Sequence, residues 1–243
     1  MVALAHASNV TGAVQPVGEL AAVCRGAGAL LVLDACQTAT LHPLDAAADG
    51  DLVLTGGHKG PAGPPGVGLM YVGERAEPHL APVLTGGTGG GTGGAMPAGL
   101  PGRYEPGTPN VPAAAGLLAA LEHAHRQSVP ARRAAVETLT ARLLGRLAGL
   151  PGVRVLGPAD AARRCGLVTF APPGWDPAEA AAVLDASFDV QCRAGLHCAP
   201  GAHRRFGTLR EDDGGGAVRL SVGPGTTVED VDAAADAVAA LLG

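Results

Sequence analysis

Of the 17 basic residues in the chain, 16 are arginine and only Lys59 is lysine. Arginine replaces lysine for charge, but not as a nucleophilic amine, because a guanidinium does not deprotonate near neutral pH. Alanine, glycine, proline and arginine are all abundant, which suggests a coding bias against lysine. A single surviving lysine is therefore a candidate for chemistry, although chance survival explains it equally well until its neighbours are considered. Those neighbours are GGHKG at 56–60. Other segments carry comparable groups: SNVTG at 8–12, LDACQT at 33–38, RAGLHCAP at 193–200 and VRLS at 218–221. Each alone has an ordinary explanation. Asp34 could cap a turn, Gln37 could be solvated, His58 could be a satisfied loop histidine, and Cys198 could be a core thiol.

These groups need elements to hold them. Apolar runs at 2–7, 29–33, 51–54 and 67–72 read as strands, and 17–26 has helical spacing closed by glycine. Strands that are apolar throughout and separated by helices or loops predict a parallel or mixed sheet covered on both faces. In such sheets functional groups gather at the carboxyl ends of strands. Asp34 and the segment 55–59 both fall there. The TGGTGGGTGG run at 85–94 lacks the Lys-Ser/Thr ending of a phosphate loop and reads as a mobile loop. Helices are expected over 111–125 and 130–150. Beyond them, strands are expected at 153–156, 166–170, 190–193 and 217–222, with helices at 176–187 and 226–242. Thr226 and Glu229 fit a capping box. The fold class expected is α/β: an incomplete large domain over 1–125, mostly parallel in its sheet, followed by a small α+β domain over 126–243.

Bulk properties limit the function. With 47% hydrophobic but only 2% aromatic residues, the core must be built from alanine, valine and leucine. A net charge of −5 argues against a general nucleic-acid binder. No apolar run approaches a membrane span and no signal pattern opens the sequence, so the expected address is the cytoplasm, with neither nucleic acid nor membrane as partner. Cys24, Cys36, Cys165, Cys192 and Cys198 form no even framework and read as free thiols, with Cys192 in the core.

In order and spacing, the segments resemble those of the class V aminotransferase and cysteine desulfurase family. The specific elements are Asp-x-x-Gln, Gly-His-Lys some twenty residues later, EPGTPN at 105–110, and Arg-x-Gly-x-His-Cys-Ala before a closing Arg-x-Ser. The resemblance covers nearly the whole chain. It implies a partial type I pyridoxal 5′-phosphate (PLP) transferase large domain with PLP as cofactor. Lys59 would hold the cofactor aldehyde, and Asp34 would keep the pyridine nitrogen protonated. Gln37 and Asn9 would bond the ring hydroxyl edge, and His58 would lie near the phosphate. Arg219 would grip the substrate carboxylate, with Arg193 near the mouth of the site. Cys198 picks the reaction, as the thiol that attacks the sulfur of L-cysteine or a relative, leaving alanine and an enzyme persulfide. His197 and Arg193 are placed to favour its thiolate. No metal is implied.

The same resemblance implies a homodimer in which Thr108 reaches the partner's phosphate, and a sulfur acceptor protein downstream. Family members carry Ser or Thr directly before Gly-His-Lys. Here Gly56 stands there, and Thr55 one residue earlier is the substitute. Full-length relatives also begin well over a hundred residues upstream, with the phosphate loop and a ring-stacking histidine, so an N-terminally truncated or split enzyme is expected. The alternatives are a non-catalytic half needing a partner chain, another class V lyase or aminotransferase, and a zinc module on Cys192, His197, Cys198 and His203. The last lacks paired cysteine spacing.

Overall fold

The computed structural model describes residues 1–87, 95–210 and 215–243. The chain divides into two compact units. The first comprises Met1–Leu4, Pro16–Thr40 and Leu44–Arg126, and the second Ala5–Gln15, Leu41–Pro43 and Gln127–Gly243. Asn9 thus belongs to the second unit, and Asp34 and Lys59 to the first.

The first unit is built on a mostly parallel sheet of order β1-β2-β3-β4. In chain order its elements are β1 (Val2–Ala5), α1 (Val17–Gly26), β2 (Leu31–Asp34), α2 (Ala46–Asp49), β3 (Leu52–Gly56), β4 (Gly68–Val72) and α3 (Val111–Gln127). Strands β2 and β3 run parallel, with Asp34 opposite Leu54, and β4 closes the edge antiparallel. Alternate residues of β2 decide its packing. Leu33 meets Val17, Ala35 and Val53, whereas Leu31 meets Ala21 and Cys24 of α1. The short helix α2 was not anticipated. It exists because the Asp45 carboxylate accepts from Ala47 N and Ala48 N at its start.

The second unit is an antiparallel sheet of order β5-β6-β8-β7 covered by helices. Its elements are α4 (Val129–Ala148), β5 (Arg154–Leu156), β6 (Leu167–Ala171), α5 (Pro177–Phe188), β7 (Arg193–Gly195), α6 (Pro200–Phe206), β8 (Ala217–Ser221) and α7 (Val228–Leu242). Leu147, Val168, Phe170, Leu184, Val218 and Val238 are fully buried in its core. Arg164 is buried too, and its guanidinium donates to the carbonyls of Pro158 (2.6 Å), Thr11 (2.7 Å), Leu156 (2.8 Å) and Leu167 (3.0 Å).

Several expectations shift. The strand expected at 190–193 begins only at Arg193, because Asp189 closes α5 in a left-handed conformation and the chain must turn out of it first. Cys192 consequently precedes the strand, half-buried against the main core. The capping box lies one residue later than read, on Thr227 and Asp230, while the Thr226 hydroxyl accepts from Gly223 N at 3.0 Å. Helix α6, directly after Cys198, was not anticipated. Most of the glycine-rich run read as a mobile loop, 88–94, lies outside the described residues.

Candidate active site

In the first unit the candidate groups meet at one sheet edge. Strands β2 and β3 end side by side, so the residues that follow Asp34 and Gly56 emerge together. Asp34 presents an exposed carboxylate whose Oδ1 accepts from Cys36 N at 2.8 Å. Cys36 then joins the two loops: its Sγ accepts from Gly56 N at 3.3 Å and its carbonyl from Gly60 N at 3.3 Å. The Thr40 hydroxyl donates to Gly60 O at 2.6 Å. Burial, followed by the hydrogen bond to Asp34, pushes the Cys36 thiol up. Glycine is required twice in this loop. A Cβ on Gly60 would overlap the Ala39 carbonyl oxygen, and one on Gly57 would approach Val67 O to 2.9 Å. The loop is therefore packed down on both sides, leaving His58 and Lys59 exposed. Gln37 is half-buried beside it. Thr55 is half-buried within β3, with its hydroxyl 3.5 Å from Gly56 O. Thr108 lies exposed, well along the chain from these groups.

In the second unit β7 and β8 place Arg193 directly opposite Arg219. Like charges in that position repel. Arg193 Nη2 donates to Cys198 Sγ at 3.1 Å, and Arg219 Nη1 to Asn9 O at 2.8 Å. Arg219 Nε is buried and has no hydrogen-bond partner among the described residues. Burial, then the Arg193 charge, holds Arg219 below the usual arginine range. Such an arrangement suits an incoming carboxylate, which would fill the vacant donor and neutralise the pair.

Cys198 is exposed on a tight turn in which both His197 (φ 52°) and Cys198 (φ 60°) are left-handed. Non-glycine residues held there are strained, and such strain gathers at functional sites. The expected help from His197 to the thiol is not present. The turn aims its ring inward, where it is buried and bonded to Arg193 O (3.1 Å) and His203 (3.3 Å), and burial lowers it to about 4. A neutral buried imidazole offers no positive charge, so the arginines supply it: Arg193 in direct contact and Arg219 through its field. Asn9 is also engaged, donating from Nδ2 to His197 O at 2.5 Å. The ring nitrogens of His197 and His203 all have protein partners, and among the described residues no three His, Cys, Asp or Glu converge on a cation position. Sequence reading missed His203 and Thr208, which sit beneath the cysteine turn; His203 entered only as a zinc ligand.

The first unit thus brings an amine and a carboxylate to one sheet edge, and the second holds a thiol on one of two facing arginines. The aminotransferase class-V family model matches residues 1–234. The chain belongs to that family. A probable cysteine desulfurase 2 from Mycobacterium leprae is 36% identical over 96% of the chain, and a probable cysteine desulfurase from Pyrococcus abyssi is 31% identical over 86%. The apo structure of a cysteine desulfurase from Thermococcus onnurineus matches with a TM-score of 0.88 at 30% identity, covering 99% of this chain and 59% of that one. The cysteine desulfurase CsdA (S-sulfonic acid) from Escherichia coli matches with 0.84 at 28% identity, covering 99% and 58%. The chain spans about half the length of the curated relatives it matches, 54% in both of those named.

Proposed function

We propose that this chain serves a PLP-dependent cysteine desulfurase reaction, in which cysteine becomes alanine and its sulfur passes to Cys198 as a persulfide. The observation that carries the reading is the thiol of Cys198 held at 3.1 Å by Arg193, which is paired across the sheet with an Arg219 lacking a partner for its buried Nε. An ordinary aminotransferase has no use for such a thiol. A selenocysteine or cysteine lyase of the same family does.

The residues present fit the cofactor. The sole lysine provides the only side-chain amine, and the Asp34 carboxylate at the same edge keeps one oxygen clear of the Cys36 amide. Gln37, between them in sequence, is placed for the ring oxygen, and His58, Thr55 and Thr108 are the phosphate candidates. When bound, PLP supplies an electron sink for the pair released at the substrate Cα. Asp34 would keep the proton on the pyridine nitrogen. Lys59 Nζ, the only side-chain amine, would hold the cofactor aldehyde and would move the Cα proton. Arg219 binds the substrate carboxylate through Nε and so orients the substrate. The Cys198 thiolate, paired with Arg193, then attacks the substrate sulfur. An S–S bond forms on Cys198 as the substrate C–S bond breaks, and protonation of the remaining three-carbon fragment yields alanine. Attack of an acceptor protein's thiolate on the outer sulfur of the persulfide would carry that sulfur away and release the Cys198 thiolate.

The activity is assigned to a polypeptide that also supplies the rest of the fold its relatives possess. We read that protein as a cytoplasmic homodimer, with Thr108 facing the partner's cofactor. The five cysteines, unpaired in this structure, accord with a reducing compartment. The test is to supply PLP and L-cysteine to that full-fold protein, alkylate at once, and map persulfides by mass spectrometry. A persulfide on Cys198, lost in Cys198→Ala, is expected. Alanine produced with no sulfur on Cys198 would overturn the assignment.

A further inference from the structure

The turn that presents Cys198 stands on a buried line of polar groups that no part of the proposed chemistry uses. His197 and His203 are 1% and 0% exposed, and Thr208 is 8% exposed. Their hydrogen bonds form one chain: Arg193 O to His197 Nε2 at 3.1 Å, His197 Nδ1 to His203 Nε2 at 3.3 Å, and His203 Nδ1 to the Thr208 hydroxyl at 2.8 Å. The direction of every proton follows from its first member. A carbonyl only accepts, so His197 Nε2 bears the hydrogen. His197 is neutral, its value lowered to about 4 by burial, so its Nδ1 is a lone pair. His203 must therefore donate from Nε2 and accept at Nδ1 from the threonine hydroxyl. Reversing any one of these protons leaves two donors or two lone pairs face to face.

The line ends at the residue that holds the thiol. Its last acceptor is the Arg193 carbonyl, and the Arg193 guanidinium donates to Cys198 Sγ at 3.1 Å. The backbone is anchored at both sides of the turn as well. Asn9 Nδ2 donates to His197 O at 2.5 Å, and Thr208 O accepts from Gly216 N at 2.7 Å, next to β8. His197 and Cys198 are both left-handed, so the turn needs such support to persist.

We propose that His197, His203 and Thr208 form a positioning relay, in which His203 and Thr208 hold the Cys198 turn so that its thiol stays on Arg193. The inference rests on the reading of Cys198 as the reacting thiol, but its test uses the thiol alone and needs neither cofactor nor turnover. It can therefore fail while the desulfurase reading stands, and the reverse also holds.

The experiment measures the rate at which iodoacetamide alkylates Cys198 in the 243-residue chain at pH 7.5, followed at peptide level so that the other thiols serve as references. Removing Arg193, as Arg193→Leu, should slow alkylation about tenfold, by the loss of one charge-assisted contact. His203→Leu should slow it to a similar extent, and the double variant should be no slower than either single one, because relay and arginine act through one contact. His203→Gln, whose amide can still donate to His197 Nδ1, should restore most of the rate. Thr208→Val should fall between. Should His203→Leu not fold, the ordering of His203→Gln above Thr208→Val decides the matter. Wild-type alkylation in both His203→Leu and Thr208→Val, or losses from His203→Leu and Arg193→Leu that multiply in the double variant, would overturn the relay.

Discussion

Acid should destabilise the second unit well before its carboxylates protonate. Two of its histidines, His42 and His197, are buried and lowered from 6.5 to about 4, in both cases first by burial. His42 also faces Arg133 and His6, and His197 faces Arg219, His203 and Arg193, so the surrounding charges oppose protonation too. A folded-state value below the unfolded one means that the unfolded chain binds more protons between about 4 and 6.5. Stability is therefore complete above that window and is lost as pH falls through it. At pH 5 the linkage amounts to about 2 kcal/mol per imidazole, nearer 1 where solvent screens it, so between about 2 and 4 kcal/mol for the two sites. Burial lowers His203 as well, so its contribution has the same sign. Asp230, exposed, and Asp232, partly exposed, lie below the usual carboxylate range through their hydrogen bonds to Thr227 and Arg142 and stay ionised throughout. Urea unfolding followed by circular dichroism at pH 8 and pH 5 reads the difference. With a slope of about 2 kcal/mol per molar, the midpoint should fall by about 1–2 M. His42→Gln should remove about half of that fall. Equal midpoints at the two pH values, or an undiminished fall in His42→Gln, would refute the reasoning.

Three further outcomes follow from named contacts. Arg164→Leu removes the guanidinium from four carbonyls, three of them in buried hydrogen bonds worth about 1–3 kcal/mol each, and should lower the thermal midpoint by more than about 6 °C. Gly60→Ala forces a Cβ into the Ala39 carbonyl and should displace the lysine loop, whereas Gly26→Ala at the end of α1 meets nothing within 4 Å and should be neutral or slightly stabilising in the same melt. Borohydride reduction of the chain in the presence of PLP should label Lys59, with the α-amino group of Met1 as the only competing amine. A label on Met1 alone would speak against Lys59 as the cofactor residue. Gly60→Ala should weaken that label while leaving one on Met1 unchanged.

Much of the fold was legible because its elements carry local signals. The helix read at 17–26 is α1, residue for residue, since Pro16 precedes it and Gly26 ends it. Strands β2, β3 and β6 lie within a residue or two of their apolar runs. What was lost lay where tertiary geometry competes with pattern. The apolar run 190–193 looks like a strand, yet the left-handed Asp189 delays pairing until Arg193. Thr226 and Thr227 are equally good caps in sequence, and their hydrogen bonds tell them apart: Thr226 accepts from Gly223 N, whereas Thr227 accepts from Asp230 N. The lysine edge was legible for a simpler reason: strands that run parallel end at the same side, so Asp34 and the 56–60 loop had to emerge together. His197 was misread because adjacency in sequence suggests adjacency in space, and a left-handed residue breaks that inference.

The paired arginines show how a conflict between local and global preference marks a site. Nothing in β7 or β8 gains from Arg193 facing Arg219, and an apolar or oppositely charged partner at either position would pair better. Both residues are also tied by their backbones into the same antiparallel ladder, so neither can move away as a unit. Arg193 resolves part of its charge on the Cys198 sulfur, and Arg219 part on the Asn9 carbonyl. The buried Arg219 Nε remains without an acceptor, a cost that folding alone does not explain. Phe170, Val218 and Val238 in the core of the unit are, by contrast, simply buried. This discord lies in the strand pair beside the strained cysteine turn, and an incoming carboxylate would remove the repulsion and fill the empty donor in one step. The second unit thus holds a repulsion between two arginines that an arriving anion would relieve.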